Sequence, residues 1–133
     1  MLKILVPDAV FDSIDSITPE FFTERGIKAV FLDIDKPLVL PHTPVPDEAA
    51  ERFINSLLAS GLSVCLVSNN KKDRVDRFNT LSLPSVYRAA KPLTVGYNRM
   101  LKKLGIKKSE AAAVGDQFFS DISGAKAAGI LAV

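Results

Sequence analysis

The sequence predicts an α/β fold, a parallel sheet with helices on both faces. Three observations lead there. Short apolar runs without polar interruption, such as Ala29-Val30-Phe31-Leu32 and Val64-Cys65-Leu66-Val67, read as strands buried on both sides. Longer stretches between them repeat apolar residues every three or four positions, as one face of a helix does. The two signals alternate along the chain, the pattern of strands joined by right-handed crossovers.

Residues 1–17 sustain no period; apolar positions are mixed with Asp8, Asp12 and Asp15. Thr18-Pro19 has the form of an N-cap followed by proline at the first helical position. The short helix it opens would carry Phe21 and Phe22 and stop before Gly26. Lys28 to Asp33 is the first strand. Pro37, Pro41, Pro44 and Pro46 make the next stretch a loop, in which His42 is expected to be solvated. From Asp47 a helix follows, with Ala49, Ala50, Phe53, Ile54, Leu57 and Leu58 on one stripe and Gly61 as its stop.

Leu62 to Val67 is the second strand and ends at Ser68-Asn69-Asn70. Lys71 to Thr80 reads as a polar helix with Val75 and Phe78 inward. Pro84 to Tyr87 makes a short third strand, followed by Lys91-Pro92. Tyr97, Met100, Leu101 and Leu104 form the stripe of another helix, closed by Gly105. Ala111 to Val114 is the fourth strand and ends at Gly115-Asp116. A last helix with Asp121 near its start stops at Gly129, and Ile130 to Val133 begins a fifth strand.

Composition sets the bounds. A chain of 133 residues, 47% apolar, is expected to form a single domain, residues 1–133, with a real core. A formal charge of +2, with lysines and arginines scattered, argues against a nucleic-acid partner. The single cysteine, Cys65, cannot form an internal disulfide and sits in an apolar run, so it reads as a small buried hydrophobe. No apolar run approaches the roughly 20 residues of a membrane span, and the N-terminal Met1 to Val6 is too short for a signal-peptide core. A soluble, cytoplasmic protein is the expectation; oligomeric state is not legible.

Asp33 and Asp35 lie two apart where the first strand ends. In an extended chain they would point to one side. Two ionised carboxylates that close repel unless a cation or a shared proton relieves them. In parallel sheets ligands bind outside the carboxyl ends of the strands. Ser68, Lys91, and Asp116 with Asp121 lie at or near those same ends. A phosphoryl group makes sense of clustered carboxylates, a hydroxyl and a lysine. Mg²⁺ takes oxygen ligands of this kind. Asp33 would attack phosphorus, and Asp35 would give and later take a proton. Ser68 and the backbone N–H groups that follow would hold phosphate oxygens, with Lys91 offsetting their charge. Asp33, Asp116 and the Asp35 carbonyl would ligate the metal. Asp121 would bind it through water or hold Lys91.

These motifs, in this order, resemble the four-motif signature of the haloacid dehalogenase (HAD) superfamily of phosphatases. The wording Val67-Ser68-Asn69-Asn70-Lys71, Ala90-Lys91-Pro92-Leu93 and Val114-Gly115-Asp116-Gln117-Phe118-Phe119-Ser120-Asp121 is similar to the YqeG-type branch of subfamily IIIA. The resemblance runs from about Thr18 onward. It implies a Rossmann-like domain, Mg²⁺ and an aspartyl-phosphate route. It makes Asp33 the nucleophile and Asp35 the general acid/base. Phosphate contacts fall on Ser68, Asn69 and Lys91, and metal ligation on Asp33, Asp35, Asp116 and Asp121. The branch includes phosphatidylglycerophosphate phosphatases, which implies a phosphorylated small molecule or lipid headgroup as substrate and leaves room for peripheral membrane contact. Only one helix fits between Asp35 and Ser68 and one between Ser68 and Lys91, so no cap domain is expected and the site should be open.

Two departures stand out. The family usually has Asn-Thr after its second aspartate, where this chain has Lys36-Pro37. Proline brings neither hydroxyl nor N–H, which keeps a non-catalytic HAD-fold binding or scaffold protein as the alternative reading. Family members also usually continue past Val133, which leaves open a C-terminally shortened chain. A phospho-accepting receiver domain uses similar groups, but its acidic pair comes early and its lysine last; here Lys91 precedes Asp116.

Overall fold

The computed structural model describes residues 16–32, 48–68, 72–79, 81–87, 95–114, 126 and 129–133. Its strands are β1 (Ala29–Leu32), β2 (Ser63–Val67), β3 (Ser85–Val86), β4 (Ala111–Val114) and β5 (Leu131–Ala132). They form one sheet in the order β3-β2-β1-β4-β5, and every pairing is parallel. The helices are α1 (Pro19–Thr23), α2 (Glu48–Ala59), α3 (Lys72–Phe78) and α4 (Val95–Leu104). All five expected strands are present, trimmed at their ends: Lys28, Leu62, Pro84, Tyr87, Ile130 and Val133 fall outside the ladders.

The central strands explain their own sequences. Every residue of β1 and β4 is buried, because each strand has a paired neighbour on both sides and side chains packed on both faces. Alternation then sorts the side chains. Val30, Leu32, Val64 and Leu66 join Phe22 of α1, Phe53, Ile54 and Leu57 of α2, and Val75 of α3 in one apolar layer. Ala29, Phe31, Cys65 and Val67 join Tyr97, Met100 and Leu101 of α4 in the other. Helices therefore cover both faces, as the alternation of signals requires. Each large side chain in these layers contributes about 1.5–3 kcal/mol relative to exposure.

Glycine closes the helices and aims the strands. After α2, Gly61 takes φ +85°, a conformation that costs glycine nothing. The Leu62 N–H then reaches back to the Leu57 carbonyl at 3.2 Å, and Leu62 folds into the core. Gly105, at φ +68°, repeats this after α4, with the Ile106 N–H donating to Leu101 at 3.3 Å.

Thr18 stands at the N-cap with Pro19 opening α1, as expected; its carbonyl, not its hydroxyl, makes the contact, accepting from the Phe21 N–H at 3.1 Å. Two expectations for the α2 stripe need correcting. Leu58 is 40% exposed: the α2 stripe is narrower than its apolar residues, and the face turned to the sheet is Ala50, Phe53, Ile54 and Leu57. Ala49 is only partly buried. Val75 is buried as expected, whereas the Phe78 side chain, His42 and Asp47 lie outside the described residues. Of the last helix, Lys126 is described and is helical.

Candidate active site

Strand order fixes where a site can form. From β1 the chain steps outward to β2 and β3, then returns to the other side of β1 for β4 and β5. The reversal lies between β1 and β4, and in open α/β sheets the ligand crevice lies at the carboxyl side of such a switch point. The register there is level: Leu32 pairs with Val114, and Leu32 with Leu66. Asp33 is next in the chain after Leu32, and Gly115-Asp116 are next after Val114. Two acidic motifs 83 positions apart in the sequence thus follow the ends of adjacent, level strands.

Ser68 is the predicted site residue that the structure describes. It directly follows β2, its N–H donates to the Val86 carbonyl at 3.0 Å, and its side chain is wholly buried. Among the described residues no buried side-chain nitrogen or oxygen lacks a hydrogen-bond partner. The short β3 thus locks the backbone at Ser68, a role for Val86 that its sequence did not signal. Asp33, Asp35, Asn69, Lys91, Asp116 and Asp121 lie outside the described residues, as do Lys36 and Pro37. Among the described residues no cluster of three or more His, Cys, Asp or Glu side chains could hold a metal ion.

Behind the rim the packing is apolar and buried. Phe31, two residues before Asp33, stacks on Tyr97 of α4 with ring centres 6.3 Å apart and planes 13° from parallel. Cys65 faces the same layer and is wholly buried. Burial pushes its thiol up to about 12, with Lys103 pulling weakly the other way. A thiol so held is protonated at neutral pH and is no nucleophile, which bears out its reading as a small hydrophobe.

The model of the haloacid dehalogenase-like hydrolases matches residues 10–129, most of the chain. The chain belongs to that family. A probable phosphatase of Bacillus subtilis, YqeG, is 32% identical over 123 residues, covering 92% of this chain and 72% of its own length. The likeness to the YqeG-type branch is thereby borne out. Among solved structures, an uncharacterised protein from Listeria monocytogenes superposes with a TM-score of 0.64 at 23% identity, over 80% of this chain and 76% of that one. A 3-deoxy-D-manno-octulosonate 8-phosphate phosphatase from Moraxella catarrhalis, solved with magnesium, phosphate and KDO, gives 0.53 at 20% identity, over 75% and 64% of the two chains. These two likenesses bear on the fold: a Rossmann-like HAD sheet. Among the described residues no helix is long and apolar enough to cross a membrane.

Proposed function

We propose that this chain is a Mg²⁺-dependent phosphatase that hydrolyses a phosphate monoester through an aspartyl phosphate on Asp33. The observation that carries the reading is the level pairing of β1 with β4, whose next residues in the chain are Asp33 and Gly115-Asp116. The YqeG relative, named a probable phosphatase, supports the reaction class. The donor chemistry fits Mg²⁺: Asp33, the Asp35 carbonyl, Asp116 and Asp121 offer only hard oxygens. Bound there, the ion would screen the carboxylates from the phosphate charge.

The chain's own groups carry the steps. An Asp33 carboxylate, ionised at neutral pH without help from a base, attacks phosphorus as the ester P–O bond breaks. Asp35 protonates the departing oxygen, then takes a proton from the water that attacks the acyl phosphate. Phosphate leaves and Asp33 is restored. Ser68 and Asn69 donate to the phosphoryl oxygens, and Lys91 balances their charge. The substrate is a phosphorylated small molecule or a lipid headgroup phosphate such as phosphatidylglycerophosphate, met by an uncapped site in the cytoplasm.

Hydrolysis of a generic aryl phosphate, and of a panel of sugar, glycerol and lipid headgroup phosphates, tests this. Turnover should require Mg²⁺, stop with chelator and fall by about a thousandfold or more in Asp33→Asn. Turnover by Asp33→Asn near the parent rate would overturn the aspartyl route.

A further inference from the structure

The opposite edge of the sheet holds a concavity. At the amino ends of the adjacent strands β1, β4 and β5, a cleft of about 430 Å³ is lined by Arg25, Ile27, Ser109, Lys126 and the run Gly129 to Leu131. Its volume lies within the range of small-molecule sites. We propose that this cleft binds a small phosphate-bearing anion, at a site separate from the catalytic rim.

Charge supports it first. The connections at this edge and the last turn of α4 carry Arg25, Lys28, Lys102, Lys103, Lys107, Lys108 and Lys126 against Glu24 and Glu110. That is a local +5 in a chain of net +2, so the remainder of the molecule carries −3. Some of these cations have other duties. Lys102 and Lys103 sit in the last turn of α4, where they answer the helix dipole. Lys28 is paired with Glu110 at 2.6 Å, and the same carboxylate accepts the Lys107 N–H at 2.9 Å. Glu110 is thereby bonded to Lys28 and Lys107, and Arg25 and Lys126 line the cleft beside it.

Preorganisation supports it second. The Arg25 guanidinium lies 3.9 Å over the Phe21 ring, and its Nη1 donates to the Phe21 carbonyl at 2.8 Å. That holds the group in place and uses one of five donors. The rest have no acceptor among the described residues, and a guanidinium fork matches phosphate oxygens. The Ser109 hydroxyl likewise has no partner among the described residues. The Lys108 stem lies against Gly129, where a Cβ would meet its Cδ at 3.3 Å. Ile27, Ile130 and Leu131 give the cleft an apolar floor for an organic moiety.

The experiment is a titration of the full chain with inorganic pyrophosphate in Mg²⁺-free buffer at constant ionic strength, followed by amide NMR shifts. Saturable shifts are expected at Arg25, Ser109, Gly129 and Leu131. Affinity should fall about tenfold or more in Arg25→Gln/Lys126→Gln, the scale for losing a charge-assisted hydrogen bond. Ser109→Asp leaves the Arg25 packing untouched and should give the same loss. All three substitutions should leave aryl-phosphate hydrolysis with Mg²⁺ unchanged, which separates this site from the reaction. Shifts that do not saturate, that persist in the variants, or that sodium chloride reproduces would overturn the proposal. So would tighter binding of an acidic peptide across the whole edge, including Lys102 and Lys103.

Discussion

The two ends of the same strands present opposite chemistry. The residues that follow β1 and β4 in the chain bring four carboxylates, Asp33, Asp35, Asp116 and Asp121. The connections that precede β1, β4 and β5 bring Arg25, Lys28, Lys107, Lys108 and Lys126 against Glu24 and Glu110. Between them the strands themselves are apolar and buried. A parallel sheet makes such a separation cheap. All strands point one way, so every helix-to-strand connection lands on one edge and every strand-to-helix connection on the other. Function can be written into one set of loops without disturbing the other, and the core need satisfy no charge at all.

The sharpest test of that separation is substitution at each end. Asp33→Asn should lower aryl-phosphate turnover by about a thousandfold or more, the scale on which loss of a nucleophile is felt. Arg25→Gln, at the other end, should leave turnover unchanged. A large loss from Arg25→Gln in a protein with an unaltered melting curve would break the comparison.

A change between the two ends should act on both alike. Leu57 is wholly buried in the layer that joins α2 to β1 and β2. Leu57→Ala should cost about 2–5 kcal/mol by denaturant unfolding, the transfer loss plus the cavity. At temperatures where the variant remains folded, Mg²⁺-dependent turnover and pyrophosphate binding should both persist. Loss of one alone would show that the layer is tied to that end.

Ser68 tests how the carboxyl end is built. Its hydroxyl is buried and its backbone is fixed by Val86. Ser68→Ala should raise KM for the aryl phosphate about tenfold, the scale of one hydrogen bond to a charged oxygen, with kcat less affected. An unchanged KM with a lowered melting temperature would assign the hydroxyl to structure alone.

The sequence disclosed the fold well because its strongest signals coincide with burial. Strand β4 was legible to the residue, since Ala111 to Val114 is an unbroken apolar run bounded by Glu110 and by Gly115-Asp116. Helix α4 was legible because Tyr97, Met100 and Leu101 recur at helical spacing and all three are buried. Strand β3 was harder. Its ladder holds two residues, Ser85 and Val86, and propensity over so short a span is weak; pairing with β2 makes it a strand. Leu58 misled for the converse reason: an apolar residue beside a stripe looks like part of it, and only the helix's rotation against the sheet decides. Among the candidate site residues, Ser68 stands where the sequence placed it, as the polar residue that ends an apolar run, while its lock to Val86 depends on pairing between distant strands. The cleft at the amino edge was not legible, because Arg25, Ser109 and Lys126 are ordinary loop or helix residues until the topology gathers them.

The smallest expected effect concerns the pair that occupies the carboxylate at the amino end. Lys28 bonds to Glu110 twice over: its backbone N–H donates to the Glu110 carbonyl at 2.7 Å, and its ammonium reaches the carboxylate at 2.6 Å. The ammonium, and after it the Lys107 N–H, hold the Glu110 carboxyl below its ordinary value of 4.5. A carboxylate whose folded pKa is depressed stabilises the fold above its unfolded value and loses that contribution as pH falls through the folded one. Melting temperature should therefore drop less on acidification below about pH 4.5 in Glu110→Gln than in the parent. The exposed ammonium makes the difference small and salt-sensitive. The same substitution removes a negative charge beside the cleft, so pyrophosphate should bind Glu110→Gln at least as tightly as the parent. Weaker binding would mean that Glu110 shapes the cleft through the Lys107 to Glu110 turn rather than merely holding Lys28 aside, and the electrostatic contrast between the two edges would need redrawing.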